Sequence, residues 1–411
     1  MRLPASVRIY RRALDPFLLV GTAALVLLGF LAIYSATEFP DSARAGYFVR
    51  HLLTLPAALC VMLIAMALPL RVLDDLAYVL YGGAILLLIA VLVVGTEVYG
   101  ARRWLGVGPI RVQPSEIAKI AVCLGLAHFL VAKKRDPGRL SDLLVALSLF
   151  LLPLLLVLRQ PDLGTSGAFA AVGLAMLLWS GLPWLHLLLL LSPLAGLILC
   201  THRFIWGGFL AVSSVALWRI RLPWLVLAGF ILVQVAIVVG APMFWGHLEP
   251  YQKARLTTFE NPERDPSGGG YQILQSKIAM GSGGIWGKGY LKGTQKALAF
   301  LPQQHTDFIF SVVGEEFGFL GCLATILCFL LLIVRGYYLA LHCRSPFSGL
   351  VAVGVSTLLL YHAGVNMAMT VGLLPVTGLP LPLVSYGGSF LVSVFGMIGL
   401  LMNVSAHRYA Y

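Results

Sequence analysis

Residues 247–307 read HLEPYQKARLTTFENPERDPSGGGYQILQSKIAMGSGGIWGKGYLKGTQKALAFLPQQHTD. This segment gathers seven lysines and arginines, several carboxylates, two histidines and a run of glycines. Nearly all of the remaining chain is apolar. The contrast predicts a membrane protein in which one large polar loop, residues 246–307, carries the chemistry.

The composition of the whole chain supports a membrane protein. Of 411 residues, 59% are hydrophobic and 11% charged, and the mean hydropathy is +0.90. A soluble domain could not bury so much apolar surface. Crossing a bilayer takes about 20 mostly apolar residues. Twelve stretches qualify as candidate spans: 17–37, 47–68, 75–95, 115–132, 141–158, 162–181, 184–201, 204–218, 222–245, 308–334, 347–371 and 384–406.

The positive charges predict the orientation of the chain. With a cytoplasmic N-terminus, the inner connections hold fourteen lysines and arginines and the short outer connections hold seven. Positive residues favour the cytoplasmic side, so both termini are expected there and the large loop outside. The net charge of +12 does not predict nucleic-acid binding, because no basic run exceeds three residues.

The glycine-rich piece GSGGIWGKGYLKG, residues 281–293, is not a nucleotide-binding loop. A Walker A motif would need glycine in place of Ser282 and Ser or Thr in place of Gly289, and the Rossmann spacing is also absent. We therefore expect flexible backbone among Lys277, Lys288 and two further lysines. This basic segment either neutralises a lipid-linked pyrophosphate or is a solvated loop beside anionic headgroups.

Four carboxylates of the large loop are equally eligible for catalysis by charge alone, namely Glu249, Glu260, Glu263 and Asp265. The local sequence PERDPSGGGY favours a turn at Asp265. On the residues alone, a turn is the better interpretation of this aspartate.

Ionisable residues within apolar stretches form the second group of candidates. Glu116 and Lys119 lie three apart on one predicted helix face, where they form either an interfacial ion pair or part of a site. Asp162 either caps the next helix or orders Arg159 or a ligand.

Two further polar segments lie close to predicted spans. His305, Thr306 and Asp307 do not form a triad, because sequence neighbours do not face each other on a helix, and His305 is interpreted as a polar interface residue. The segment SYGGSF, residues 385–390, breaks the helix ahead of the last span. Irregular backbone at membrane depth is tolerated only against protein or a wet cavity, so this segment predicts a cavity lining.

Five segments together resemble the SEDS family (shape, elongation, division and sporulation) of bacterial proteins, in order and in spacing. They are GARRWLGVGPIRVQPSEIAKI at 100–120, RQPDLGTS at 159–166, DPSGGGYQILQSKIAMGSGGIWGKGYLKGTQ at 265–295, FLPQQHTDFIFSVVGEEFG at 300–318 and GLPLPLVSYGGSF at 378–390. KGTQ and FLPQQHTDFIF are more similar to the elongation members than to the division members.

The resemblance implies a fold and an activity. The fold would be an all-α polytopic bundle of 10 to 12 transmembrane helices with a large extracytoplasmic loop, in the bacterial plasma membrane. The activity would be peptidoglycan glycosyl transfer, polymerising lipid II during elongation beside a class B penicillin-binding protein and other elongation proteins. The alternatives are a lipid II flippase and a non-catalytic scaffold for that partner.

The resemblance also assigns site residues. The family's essential loop aspartate falls on Asp265, which replaces the turn interpretation with a catalytic one. The candidate substrate-binding residues are Arg103, Glu116, Lys119, Asp162, Lys277, Lys288, His305, Ser385, Tyr386 and Ser389. No metal-ligand cluster is evident, although a divalent cation such as Mg²⁺ or Mn²⁺ could share the charge of a pyrophosphate. Because the family has ten spans, residues 184–224 are predicted to be a helical insertion within a single membrane domain, residues 1–411.

Overall fold

The computed structural model describes residues 15–37, 45–98, 101–107, 110–132, 137–200, 202–219, 224–247, 253, 269–294 and 303–408. Within these residues the regular secondary structure is helical apart from one small sheet. The helices are α1 Pro16–Thr37, α2 Ala45–Ala67, α3 Leu70–Asp75, α4 Ala77–Val94, α5 Pro114–Val131, α6 Leu140–Leu158, α7 Leu163–Trp179, α8 Trp184–Leu199, α9 Arg203–Arg219, α10 Trp224–His247, α11 Gly269–Gly283, α12 Ile309–His342, α13 Pro346–Thr370 and α14 Gly388–His407.

Each of the twelve apolar stretches contains a helix, and the predicted polytopic helical fold is confirmed. Nine helices of the described ranges are long and apolar enough to cross a membrane. Three shorter apolar helices, α7, α8 and α9, account for the other stretches. The chain is a multi-pass membrane protein.

The chain separates into two compact units, residues 1–180 with 258–411 and residues 181–257. In the first unit α5, α13 and α14 form the centre, since 72%, 78% and 83% of their spanning residues are buried. In contrast, only 17% of α2 and 22% of α4 are buried, so these helices present most of their surface to lipid. The centre of the bundle therefore carries the residues that lipid cannot reach.

The second unit consists of α8, α9 and α10, which pack on one another. Gly196 of α8 lets α10 approach closely, because a Cβ there would lie 2.1 Å from the side-chain oxygen of Gln234. The unit contains the residues 184–224 that the span count marks as an insertion. That assignment stays a prediction, as does the division of the chain into one membrane domain and one loop.

Polar contacts mark one end of the first unit, where α1 begins and α12 ends. Arg335 forms an ion pair with Asp15, with 2.7 Å between nitrogen and oxygen, and Ser405 donates to the same carboxylate at 3.0 Å. These bonds join α1, α12 and α14. The candidate residues gather at the opposite end, which we call the site end.

Candidate active site

A small sheet at the site end positions Arg103. Its strands β1 Thr96–Val98, β2 Ala101–Val107 and β3 Ile110–Val112 pair antiparallel in the order β1-β2-β3 between α4 and α5. From β2, Arg103 donates through Nε to the carbonyl oxygen of Gln160 at 3.0 Å and through a second nitrogen to that of Pro161. The guanidinium is thereby fixed against the turn that precedes α7.

Asp162 has the capping role that the sequence left open, and it also pairs with a cation that the sequence did not suggest. It caps α7, accepting hydrogen bonds from the backbone N–H of Thr165 at 3.1 Å and from the hydroxyl of the same residue at 3.0 Å. Its Oδ2 also lies 3.6 Å from a guanidinium nitrogen of Arg103. Within the described ranges, the ion-pair partner of Asp162 is thus Arg103 on β2. The sequence had suggested the neighbouring Arg159 instead.

Glu116 and Lys119 form the predicted pair on α5. The Lys119 ammonium lies 2.9 Å and 3.0 Å from the two carboxylate oxygens, and its side chain is completely buried. The negative charge of Asp162 also acts on Glu116. A buried ion pair is costly to desolvate and weak evidence for stability alone, so its position among other ionisable groups favours a functional role.

His362, on α13, completes this group and was not selected from the sequence. Its Nε2 lies 2.8 Å from the Lys119 ammonium, so the imidazole accepts from the lysine there. The ring is 2% exposed, and Nδ1 has no hydrogen-bond partner within the described ranges. An ionisable residue inside an apolar helix was the signal that could have identified it. We call Arg103, Glu116, Lys119, Asp162 and His362 the buried charged cluster.

The backbone around Lys277 and Lys288, which we expected to be flexible, makes specific contacts with the bundle. Residues 269–283 form α11, whose Ser276 donates to the carbonyl oxygen of Thr370 at 2.6 Å and shares a 2.6 Å hydrogen bond with Ser311. Lys277 lies on the exposed face of α11. Packing on α12 and α13 constrains this backbone, and local composition does not reveal that constraint.

The glycines that follow α11 allow two backbones to touch. α12 is kinked at Gly318, where φ is 64° and ψ is −159°. The kink frees carbonyl groups that accept from the N–H groups of Lys288 and Gly289, each at 3.0 Å. A Cβ on Gly287 would lie 2.1 Å from the carbonyl oxygen of Glu316. These glycines therefore serve close packing.

Lys288 is held by an ion pair. Its ammonium lies 2.8 Å from the carboxylate of Glu315, a side chain that is 1% exposed. The same carboxylate oxygen accepts from the backbone N–H and the hydroxyl of Thr294, at 2.7 and 3.1 Å. A positive charge compensated in this way is better suited to hold the segment in place than to bind an anion. The substrate-binding role of Lys288 stays a prediction.

A second polar group surrounds the segment before α14. His305 stacks on Tyr47 with ring centroids 4.6 Å apart, and its carbonyl oxygen accepts from the N–H of Tyr386 at 2.9 Å. The hydroxyl of Ser385 donates to the carbonyl oxygen of Thr306 at 2.6 Å. Burial raises the pKa of Tyr386, although the neighbouring Arg50 acts in the opposite direction. Ser389 lies half-buried in the first turn of α14.

The structure thus sorts the sequence-predicted residues into three neighbourhoods. The first is the buried charged cluster, the second surrounds His305 and Tyr386, and the third holds Lys288 beside the kink of α12. Lys277 lies apart from all three, with its side chain close to Gly372 after α13. Asp265 lies outside the described residues. No group of three metal-binding side chains occurs within the described ranges.

Comparisons with known proteins agree with this architecture. The family model for the FtsW/RodA/SpoVE cell cycle proteins matches residues 16–220 and 204–410. Peptidoglycan glycosyltransferase MrdB of Escherichia coli strain K12 is 39% identical over 96% of this chain and 94% of its own length. Peptidoglycan glycosyltransferase RodA of Treponema pallidum is 36% identical over 96% of this chain and 98% of its own.

A solved structure shows the same fold over nearly the full length. It was described for the structural coordination of polymerization and crosslinking by a peptidoglycan synthase complex, and one of its chains matches at 34% identity with a TM-score of 0.73. The match covers 97% of this chain and 99% of that chain. The resemblance inferred from the sequence motifs is confirmed, and this chain belongs to the FtsW/RodA/SpoVE family.

Proposed function

We propose that this protein is a peptidoglycan glycosyltransferase that polymerises lipid II into β-1,4 glycan strands during cell elongation. The observation that carries the proposal is its full-length similarity to relatives named as such glycosyltransferases, both 36% or more identical. The structure adds two fixed ion pairs at the site end of the helical bundle, Arg103 with Asp162 and Lys119 with Glu116. It also adds an exposed cation, Lys277, which suits a lipid substrate bearing a pyrophosphate.

The chemistry requires one displacement. The acceptor's 4-hydroxyl attacks the anomeric carbon of the donor, the bond to the pyrophosphate oxygen breaks, and undecaprenyl pyrophosphate leaves. Because the donor is α-linked and the product β-linked, a single inverting step is enough, and it needs one general base. We assign that base to Asp265, which would take the hydroxyl proton as the new bond forms.

Positive side chains would stabilise the leaving group. Lys277 is exposed on α11 and has the freedom to approach a pyrophosphate. Arg103 is partly exposed and fixed by its partners, and it would supply oriented positive charge, whereas the buried Lys119 would act by holding Glu116. A divalent cation would be bound mainly by the pyrophosphate oxygens, as Mg²⁺ often is, and chelation by EDTA in the assay tests that requirement.

The protein's surroundings follow from the same proposal. It would lie in the bacterial plasma membrane with both termini in the cytoplasm and the site end outside, where lipid II is polymerised. Its partner would be a class B penicillin-binding protein, since the matching structure is of a complex that coordinates polymerization with crosslinking.

The test is polymerisation of labelled lipid II by purified protein, alone and with a partner whose transpeptidase is blocked. Wild type should produce glycan polymer. Asp265→Ala should lose about 10²- to 10⁴-fold in rate, or about 3 to 5 kcal/mol of barrier stabilisation, while folding and partner binding persist. Glu263→Ala is the matched control, because it removes a carboxylate two residues away and should keep activity.

Lipid II flipping is a second candidate, favoured by the buried ion pair of Glu116 and Lys119 within the spanning helix α5. It predicts that liposomes containing the protein translocate labelled lipid II and that purified protein makes no polymer. A folded wild-type protein that neither polymerises nor translocates would instead favour a scaffold. Polymer from both wild type and Asp265→Ala would keep the enzyme but refute the assignment of the base.

A further inference from the structure

One face of α12 presents a continuous stripe of exposed side chains. Nearly all of them are apolar and they recur every three or four residues: Phe319, Leu323, Leu327, Leu330, Val334, Tyr338 and Leu341, each at least 38% exposed. From Phe319 to Leu341 a helix rises about 33 Å at about 1.5 Å per residue. This length matches the roughly 30 Å thickness of a bilayer's hydrocarbon core. The stripe therefore marks the depth of the membrane along α12, with its outer edge near Phe319.

The segment after α11 is attached at that edge. The N–H of Phe319 donates to the carbonyl oxygen of Gly284 at 2.9 Å, and the N–H of Leu320 donates to that of Ile285 at 3.2 Å. Ile285 and Trp286 are thus held level with the last lipid-facing residues of α12. Their side chains point away from the protein, with exposed fractions of 62% and 80%.

α11, which directly precedes this segment, also has an exposed apolar face. Ile273, Ser276 and Ala279 are buried against the bundle, whereas Leu274 and Ile278 are 46% and 42% exposed. An amphipathic helix with an exposed apolar face is suited to lie in a membrane interface. Tryptophan is enriched at that depth, because its ring is apolar and its N–H can reach water.

From this arrangement we propose that Ile285 and Trp286 insert into the lipid leaflet at the site end and anchor the glycine-rich segment to the bilayer surface. The anchor is independent of the proposed enzymatic activity. It fixes Lys277 and Lys288, which precede and follow the inserted pair, at the level of the lipid headgroups. A lipid-linked anion diffusing in that leaflet would meet the exposed Lys277 without leaving the membrane, while Lys288, paired with Glu315, holds the segment in place.

Depth-dependent fluorescence quenching tests the proposal on the full chain in nanodiscs. The difference in emission between wild type and Trp286→Phe isolates Trp286 among the eight tryptophans. One set of nanodiscs contains phospholipids brominated near the glycerol end of their acyl chains, and a second set is titrated with aqueous iodide. Trp104→Phe serves as the matched control, because Trp104 lies on β2 in a connection between two spans.

Brominated lipid should lower the Trp286 emission by about half or more, and iodide should lower it much less, as expected at the interface. The Trp104 emission should show a weaker response to brominated lipid. Efficient quenching of Trp286 by iodide without quenching by brominated lipid would overturn the proposal. Protection of Trp286 from both quenchers would also overturn it, because a protein surface would then cover the residue. Unchanged thermal unfolding of Trp286→Phe verifies that the variant remains folded.

Discussion

Removing one partner of the buried ion pair should destabilise the protein strongly. Lys119 is fully buried, its ammonium lies within 3.0 Å of both carboxylate oxygens of Glu116, and it also donates to His362. Lys119→Met keeps the length and apolar stem of the side chain but leaves an uncompensated buried carboxylate. Breaking a buried pair in this way costs about 3 to 5 kcal/mol.

Protonation of the unpaired Glu116 limits the stability that Lys119→Met can lose. A carboxyl group with an ordinary pKa of about 4.3 can be neutralised at pH 7 for about 3.7 kcal/mol, at 1.36 kcal/mol per pH unit. We therefore expect Lys119→Met to lose about 3 to 4 kcal/mol at pH 7 and only about 1 kcal/mol at pH 5. Arg103 and Asp162 keep their own contacts in this variant.

Unfolding in mixed detergent and SDS micelles, followed by circular dichroism, measures these differences. Glu116→Gln with Lys119→Met should recover most of the loss at pH 7, because no buried charge is then left unpaired. Lys292→Met, at an exposed position, should change stability by less than about 0.5 kcal/mol. A loss below about 1 kcal/mol for Lys119→Met at pH 7, or no recovery in the double variant, would refute the reasoning.

Three further predictions concern other parts of the chain. Gly287→Ala should lower both the thermal unfolding temperature and the polymerisation rate, because φ is 81° there and a Cβ would meet a carbonyl oxygen of α12 at 2.1 Å. Gly281→Ala is the control, since the space around Gly281 is open, and it should leave both quantities nearly unchanged. Equal effects of the two substitutions would contradict this prediction. Burial acts to raise the pKa of Asp15, but hydrogen bonds and charge from Arg335 outweigh it and hold the pKa below its ordinary value. The ionised Asp15 therefore stabilises the folded state at pH values above its unfolded pKa of about 3.9, and this contribution is lost as the pH falls through its lower pKa in the folded state. Asp15→Asn should remove this dependence, so the free energy of unfolding should change less with pH in the acid range. Arg219→Cys should react with impermeant maleimide only from the cytoplasmic side, and labelling from outside would refute the predicted topology, in which the insertion adds an even number of spans.

The sequence predicted the helices well because their signal is local. Each apolar stretch is long enough to span or nearly span a bilayer, and no distant contact is needed to make it helical. The pair of Glu116 and Lys119 was predictable for the same reason, since a spacing of three residues places them on one helix face.

The sequence was less informative wherever segments far apart in the chain meet. The glycine-rich segment indicated flexibility, but packing on the kink of α12 orders it. Arg159 was the nearest cation to Asp162 in the sequence, whereas the sheet brings Arg103 to it instead. In both cases the deciding partner belongs to another element.

Hydrophobic length and short motifs act within a few residues, so they were enough to identify a helical membrane protein of this family. Which polar groups share a site depends on contacts between distant segments, and the fold alone reveals them. His362 lies 243 residues from Lys119 in the chain, yet their nitrogens are 2.8 Å apart. Packing of α5 against α13 creates that contact, and the high cost of an unpaired charge inside a membrane explains why such groups are brought together.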